Sequence, residues 1–366
     1  MTAEFEFIER CFREPFSGLR AKHAGLLPVG IGDDCAALEL PKGERLWVST
    51  DTLVAGIHWF DGHRLDDIGF KALASNLSDL AAAGATPVAF TLNLAVPSTA
   101  FTQLPDLAQG LLEAATQYDC PLVGGDTTRM VTGGPLTLSI TVFGRSSLAH
   151  MGFLRSSAQV GDGLWVSGLP GLARLGLLLE YQRRGQLSAV LPGAEHPLFN
   201  AFLSTVPEHI TQTAYDRLHR PTPRLALGMA LRGKAHACLD LSDGLSGDAQ
   251  HIARQSQCQL LLNEDALEAL WSKALWSKAL GLAHTDGLAD IHGWWLQQVL
   301  IGGDDYELFF SAPETASMAT LASEYDLTCV GEVVQGQGVL LHNPLTGLRP
   351  VQSQSYDHFQ PWASTP

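Results

Sequence analysis

Apolar and polar residues alternate along 87–97 and 135–145, as in strands buried on one face only. Residues 44–54 read as a strand running into a polar turn. The period changes over 66–84. There Leu73, Leu77 and Leu80 form one helical stripe, and Lys71, Ser75, Ser78 and Asp79 fall on the opposite face. Gly84 and Pro87 end that helix. A second helix is expected over 101–119, followed by a short strand ending at Gly124-Gly125-Asp126. A polar stretch from about Arg145 to Val160 marks a domain junction, giving domains 1–148 and 149–366. Beyond it, Gly161-Asp162-Gly163 restarts with a turn and a strand. A helix at 222–232, a strand at 236–241, a helix from about 246 and strands near 258–263, 306–311 and 328–334 complete an α+β second half. Residues 271–275 (WSKAL) are repeated at once over 276–280. A five-residue period matches no helix face, so this reads as a local duplication within a helical insertion, too short for a repeat architecture.

Five short aspartate-rich loops follow or end these apolar stretches: 30–34 (GIGDD), 49–52 (STDT), 124–129 (GGDTTR), 240–244 (DLSDG) and 302–307 (GGDDYE). Glycine lets backbone approach a ligand closely, and aspartate at a strand end offers oxygen to a hard cation such as Mg²⁺. Each loop alone is more often a plain turn, because Asp and Ser bond local amides. Asp79 and its polar helix face are ordinarily a solvated surface, although the small residues Ala72, Ala74, Ser75 and Ser78 would let a ligand approach. Five such loops in one chain point instead to metal ions holding a polyphosphate. The segment 124–129 resembles a phosphate nest, with successive amides facing the anion, Asp126 on the metal and Arg129 neutralising charge. Asp240 and Asp243, three residues apart at an apolar strand end, would repel each other without a cation.

Charge and composition narrow the chemistry. The 366 residues are 46% hydrophobic and 17% charged, which fits a well-cored globular protein. A formal net charge of −15 argues against a general nucleic-acid binder, and it makes divalent cations necessary between acidic loops and any phosphate ligand. No Walker A loop, Gly-x-Ser-x-Gly elbow or zinc-type histidine spacing occurs. The acidic start is not the pattern of a secretory signal, and no apolar run is long enough to span a bilayer. The six scattered cysteines read as buried, reduced thiols of a cytoplasmic protein.

In this order, 30–35 (GIGDDC), 49–58 (STDTLVAGIH), 71–84 (KALASNLSDLAAAG), 124–129 (GGDTTR), 240–245 (DLSDGL), 303–308 (GDDYEL) and 356–359 (YDHF) resemble the thiamine-monophosphate kinase family over nearly the whole chain. The resemblance implies the two-domain fold of aminoimidazole-ribonucleotide synthetase. An N-terminal mixed sheet with helices would bind ATP and Mg²⁺ and dimerise, and a C-terminal α+β domain would complete the active site. It implies several Mg²⁺ ions on Asp34, Ser49, Thr50, Asp51, Asp79, Asp126, Asp240 and Asp243, with Asp51, Asp79 and Asp126 the most critical. ATP, the co-substrate, would meet Gly125, Asp126, Arg155 and Ser242. Thiamine monophosphate would meet His58, Asp304 and Tyr356. The family often has Glu where Asp304 stands, so this side chain reaches less far. The implied reaction is Mg²⁺-dependent, in-line transfer of the ATP γ-phosphate to thiamine monophosphate, the last step of thiamine diphosphate biosynthesis. The acceptor phosphate, with a second pKa of about 6, is already largely ionised at neutral pH, so no general base is assigned. A homodimer and a cytoplasmic location are further implications. The rival readings are another ATP-dependent member of the superfamily, such as an aminoimidazole-ribonucleotide synthetase, and a non-catalytic nucleotide- or Mg²⁺-binding regulator.

Overall fold

The computed structural model describes residues 3–150, 152–276 and 286–351. The chain forms two compact units. Met1–Gly152 joins Thr222–Arg232 in the first, and Phe153–Pro221 joins Gly233–Pro366 in the second. The packing puts the first boundary at 152/153, four residues beyond the expected 148/149, and differs in a second respect. Residues 222–232, counted with the second half from sequence, return to the first unit.

In chain order the elements are α1 (Ala3–Ile8), α2 (Glu14–Lys22), β1 (Glu44–Val54), α3 (Leu65–Ala82), β2 (Thr86–Val96), α4 (Leu104–Gln117), β3 (Leu122–Arg129), β4 (Thr137–Ser147), β5 (Gly163–Ser167), α5 (Leu172–Arg183), α6 (His196–Leu203), α7 (Glu208–His219), α8 (Leu225–Ala230), β6 (Ala237–Asp240), α9 (Leu245–Ser256), β7 (Gln259–Asn263), α10 (Glu264–Trp276), α11 (Asp286–Ile301), β8 (Leu308–Ala312), α12 (Ala316–Glu324), β9 (Leu327–Val334), β10 (Gly338–Asn343) and β11 (Gly347–Pro350).

The first unit is a four-stranded mixed sheet, ordered β1-β4-β2-β3. β4 runs antiparallel to β1 and β2, and β3 runs parallel to β2. Alternation along β4 buries Leu138, Ile140 and Val142, whereas Ser139, Thr141 and Phe143 stay half-exposed on the other face. α3 packs on the buried face. Its polar side is not solvated: Lys71, Ser75, Asn76 and Ser78 are all buried. α3 and α4 cross at two glycines. A Cβ on Gly69 would lie 2.2 Å from the Leu107 carbonyl oxygen, and one on Gly110 would lie 1.8 Å from that of Asp66. α8 closes the C-terminal end of α3, where Arg232 Nε donates to the Gly84 carbonyl at 2.6 Å and Nη2 to Thr86 Oγ1 at 3.1 Å.

The second unit is built on a seven-stranded sheet, ordered β11-β10-β7-β9-β5-β8-β6. β10 and β7 are parallel and the other pairs antiparallel. Phe309 and Phe310 of β8 are fully buried. A second apolar cluster joins α5, α6, α7, α10 and α11, and in it Phe202 stacks on Trp295 with ring centroids 4.2 Å apart. Trp271, the first tryptophan of the duplicated segment, is buried here, and its Nε1 donates to the Pro170 carbonyl at 2.8 Å. Residues 277–280 of the second copy lie outside the described residues. Four cysteines are buried as expected, but Cys35 is exposed and Cys329 half-buried. All six are free. Among the described residues, no helix is long and apolar enough to cross a membrane.

Candidate functional site

The expected site residues fall into two sets, one in each unit. In the first unit, β1 alternates between the two faces of its sheet. Ser49 and Asp51 turn toward α3. The Ser49 hydroxyl donates to Asp79 Oδ2 at 2.5 Å, and the Asp51 backbone N–H donates to Asn76 Oδ1 at 3.1 Å. Asn76, absent from the expected set, is fully buried and anchored to the Ala72 carbonyl by its amide at 2.8 Å. Thr50 turns to the other face. Its hydroxyl donates to the Ile140 carbonyl at 3.0 Å and accepts from Thr141 Oγ1 at 3.1 Å. The structure therefore groups Ser49, Asp51 and Asp79, and it separates the Thr50 side chain from them.

Asp126 is exposed on β3. The segment 124–129 is not the nest expected from sequence. It forms a regular edge strand paired with Thr91–Val96 of β2, so successive amides point alternately toward β2 and away from it instead of converging on one anion. Gly125 is required by that pairing, because a Cβ there would lie 1.9 Å from the Leu92 carbonyl oxygen. Asp51 and Gly125 occupy one row across the sheet, through Ile140 and Leu92. Asp126 lies in the next row with Thr52, Ser139 and Asn93. Three strand spacings separate the rows' ends, about 14 Å along the sheet. Asp34 is exposed in the loop before β1. His58 Nδ1 accepts from the Val54 N–H at 3.0 Å, so the neutral ring carries its proton on Nε2.

In the second unit, the loops 240–244 and 303–307 lie side by side. Asp304 N–H donates to the Ser242 carbonyl at 2.9 Å, Tyr306 N–H to that of Leu241 at 2.8 Å, and Leu241 N–H to that of Glu307 at 2.8 Å. Asp240 is buried at the end of β6, and Asp243 is half-buried in the turn before α9. Asp304 is half-buried, and its Oδ1 accepts from the Tyr306 hydroxyl at 3.1 Å.

Two buried carboxylates missing from the expected set hold these loops. Asp248, in the first turn of α9, accepts from the Ser242 and Asp243 N–H groups at 3.1 and 3.2 Å. Burial, and then the charge of Asp243, push its carboxyl up to about 7. Asp305 accepts from Gly171 N–H at 2.6 Å and Ala173 N–H at 3.1 Å, capping α5. Burial is the main cause of its rise to about 7. Glu307, also buried, accepts from the Ser167 hydroxyl and pairs with Arg217 Nη2 at 3.3 Å. A surface turn and a buried cap use the same residue type, and the one signal of Asp248 in the sequence is that it lies close after two other acids. Arg155 is exposed, and its charge reaches this region: it partly offsets the rise at Asp248, and it adds to burial, the main cause, in lowering His251. Tyr356 lies outside the described residues.

Comparison with known proteins places this geometry in a wider set. A family model described as AIR synthase related protein, N-terminal domain, matches residues 32–146. A thiamine-monophosphate kinase of Salmonella typhimurium is 36% identical over 365 residues, covering 97% of this chain and 98% of its own. The crystal structure of thiamine-monophosphate kinase from Stenotrophomonas maltophilia matches with a TM-score of 0.70 at 36% identity, covering 93% of this chain and 96% of that one. A structure described as AaThiL complexed with AMPPCP and TMP matches with a TM-score of 0.65 at 25% identity, covering 90% and 92%.

Proposed function

The chain belongs to the thiamine-monophosphate kinase family and has its aminoimidazole-ribonucleotide synthetase-like fold, and from that premise we propose that it transfers the γ-phosphate of ATP to thiamine monophosphate, giving ADP and thiamine diphosphate, the last step in making that product. The similar protein complexed with AMPPCP and TMP supports both substrates. The observation that carries the reading is the Ser49–Asp79–Asp51 group, an all-oxygen set held by α3 at the middle of β1.

That donor set fits Mg²⁺. Ser49, Asp51, Asp79, Asp126, Asp240 and Asp243 offer only oxygen, the ligand chemistry of a hard cation and not of zinc. Asp34 and the Thr50 backbone complete the proposed holders in the first unit. Asp51 and Asp126 are too far apart along the sheet to share one ion, since Mg–O distances are about 2.1 Å, and this supports several ions. Bound Mg²⁺ would neutralise the polyphosphate and the acceptor phosphate, which repel each other and the acidic chain. The chain's own part is orientation. Ser49 fixes one oxygen of Asp79 by donating to it. Asn76 fixes the Asp51 backbone. Gly125 lets β3 approach β2 closely enough to present Asp126. Gly125, Arg155 and Ser242 contact ATP in this reading, and His58, Asp304 and Tyr356 contact thiamine monophosphate. The acceptor oxygen needs no base, so transfer is direct and in line, without a phospho-enzyme.

A homodimer through the first units also belongs to the proposal. The half-exposed sheet face, with Val48 56% and Leu46 43% exposed, supports it. A cytoplasmic location follows from the same reading. A substrate panel tests the function. ADP release should require thiamine monophosphate, and a formylglycinamidine ribotide should not replace it. Release with the ribotide alone would transfer the chain to the synthetase reaction, and nucleotide binding without release under any condition would leave a regulator.

A further inference from the structure

We propose that Tyr306 and Asp305 are positioning residues that hold the Asp304 carboxylate as an oriented anion against the cationic ring of thiamine monophosphate. This rests on the kinase reading above.

The argument begins with the backbone. Asp304 and Tyr306 have φ of +66° and +51°, and neither is glycine. Aspartate tolerates the left-handed region, but an aromatic residue there is uncommon and costs free energy. Two such residues flanking a third make a conformation that the loop would not hold alone. Its supports are on both sides. Asp305 is 2% exposed and pinned to the start of α5 by the Gly171 and Ala173 N–H groups. The backbone of 304–307 is tied to 241–242 by three hydrogen bonds. The outcome at the side chains is specific. Asp305 is buried while its neighbours Asp304 and Tyr306 are half-buried, and the Tyr306 hydroxyl donates to Asp304 Oδ1 at 3.1 Å.

A donor on one carboxylate oxygen fixes the plane of the group. A fixed anion suits a permanently positive heterocycle better than a mobile one, because less side-chain entropy is lost on binding. The short aspartate is thereby held where a longer, freer carboxylate would have to be ordered by the ligand.

The test compares Tyr306→Phe, Asp304→Asn and the double variant. Phenylalanine meets the same backbone cost as tyrosine, and asparagine tolerates the left-handed region, so both substitutions remove chemistry and not conformation. Each single change should raise KM for thiamine monophosphate about tenfold, with kcat and KM for ATP within about twofold. Adding Tyr306→Phe to Asp304→Asn should raise KM little further. Equal effects of Tyr306→Phe in both backgrounds, or none on KM for thiamine monophosphate, would overturn the proposal. Calorimetric titration with thiamine monophosphate reads the same contrast without turnover. A wild type that binds but transfers no phosphate counts against the kinase reading alone. A Kd unchanged by Tyr306→Phe counts against the positioning role alone, and no binding at all defeats both.

Discussion

The Ser49 hydroxyl donates to Asp79 Oδ2 across 2.5 Å, tying the middle of β1 to the last turns of α3. The bond joins a strand residue and a helix residue that the sequence presents as two unrelated polar positions. Ser49→Ala removes the donor and leaves the strand intact. The Mg²⁺ concentration for half-maximal activity should rise about tenfold, as expected for losing one bond to a charged group. Melting should shift little, because the site is partly exposed. An unchanged Mg²⁺ curve would separate this pair from the metal.

Gly125→Ala should fail for a steric reason. The new Cβ would lie 1.9 Å from the Leu92 carbonyl oxygen, so β3 must leave β2. A loss of at least about 2 kcal/mol in urea denaturation is expected, at the upper range of overpacking because the obstacle is backbone. A variant as stable as the wild type would mean that the parallel pairing is not as described.

Asp305 links folding to pH. Its carboxyl has a usual value of 3.8 and is pushed up to about 7, mainly by burial. Between those values the folded chain keeps a proton that the unfolded chain has lost. Stability should therefore fall as pH rises from about 4 to about 7 and level off above. Asp248 is pushed the same way and adds to the slope. Asp305→Asn should flatten the curve. Urea midpoints measured from pH 5 to pH 8 check this, and an unchanged slope in the variant would assign the effect elsewhere.

Arg232→Ala tests the return of 222–232 to the first unit. The change removes donors to the Gly84 carbonyl and Thr86 Oγ1. It should cost about 1–2 kcal/mol and speed amide hydrogen exchange in the last turn of α3. Exchange confined to the second unit would contradict the packing.

What the sequence disclosed follows from how local each signal is. The strand at 44–54 was bounded correctly, and the helix at 66–84 nearly so, because alternation and helical spacing are written in adjacent residues. The polar face of α3 could be read either as solvated or as approachable by a ligand, and the structure buries most of it. Lys71 and Ser78 look like surface residues until the sheet and the neighbouring helices cover them. Gly124–Arg129 looked like a strand end and a phosphate nest because its continued strand character comes from pairing with β2, 33 residues earlier. Asp248 and Asp305 could not be told from exposed acids, since burial and a backbone partner define their role. The return of α8 to α3 depends on a small contact surface, Gly228 against the Ala81 carbonyl, that no local pattern announces.

The most direct test of the account is product stoichiometry. Wild-type protein given ATP, Mg²⁺ and thiamine monophosphate should form ADP and thiamine diphosphate one for one. Removing Mg²⁺ by chelation should stop both products, and Asp51→Asn should lower both by orders of magnitude with the fold intact. ADP formed without thiamine diphosphate, or thiamine diphosphate formed at the wild-type rate by Asp51→Asn, would contradict it.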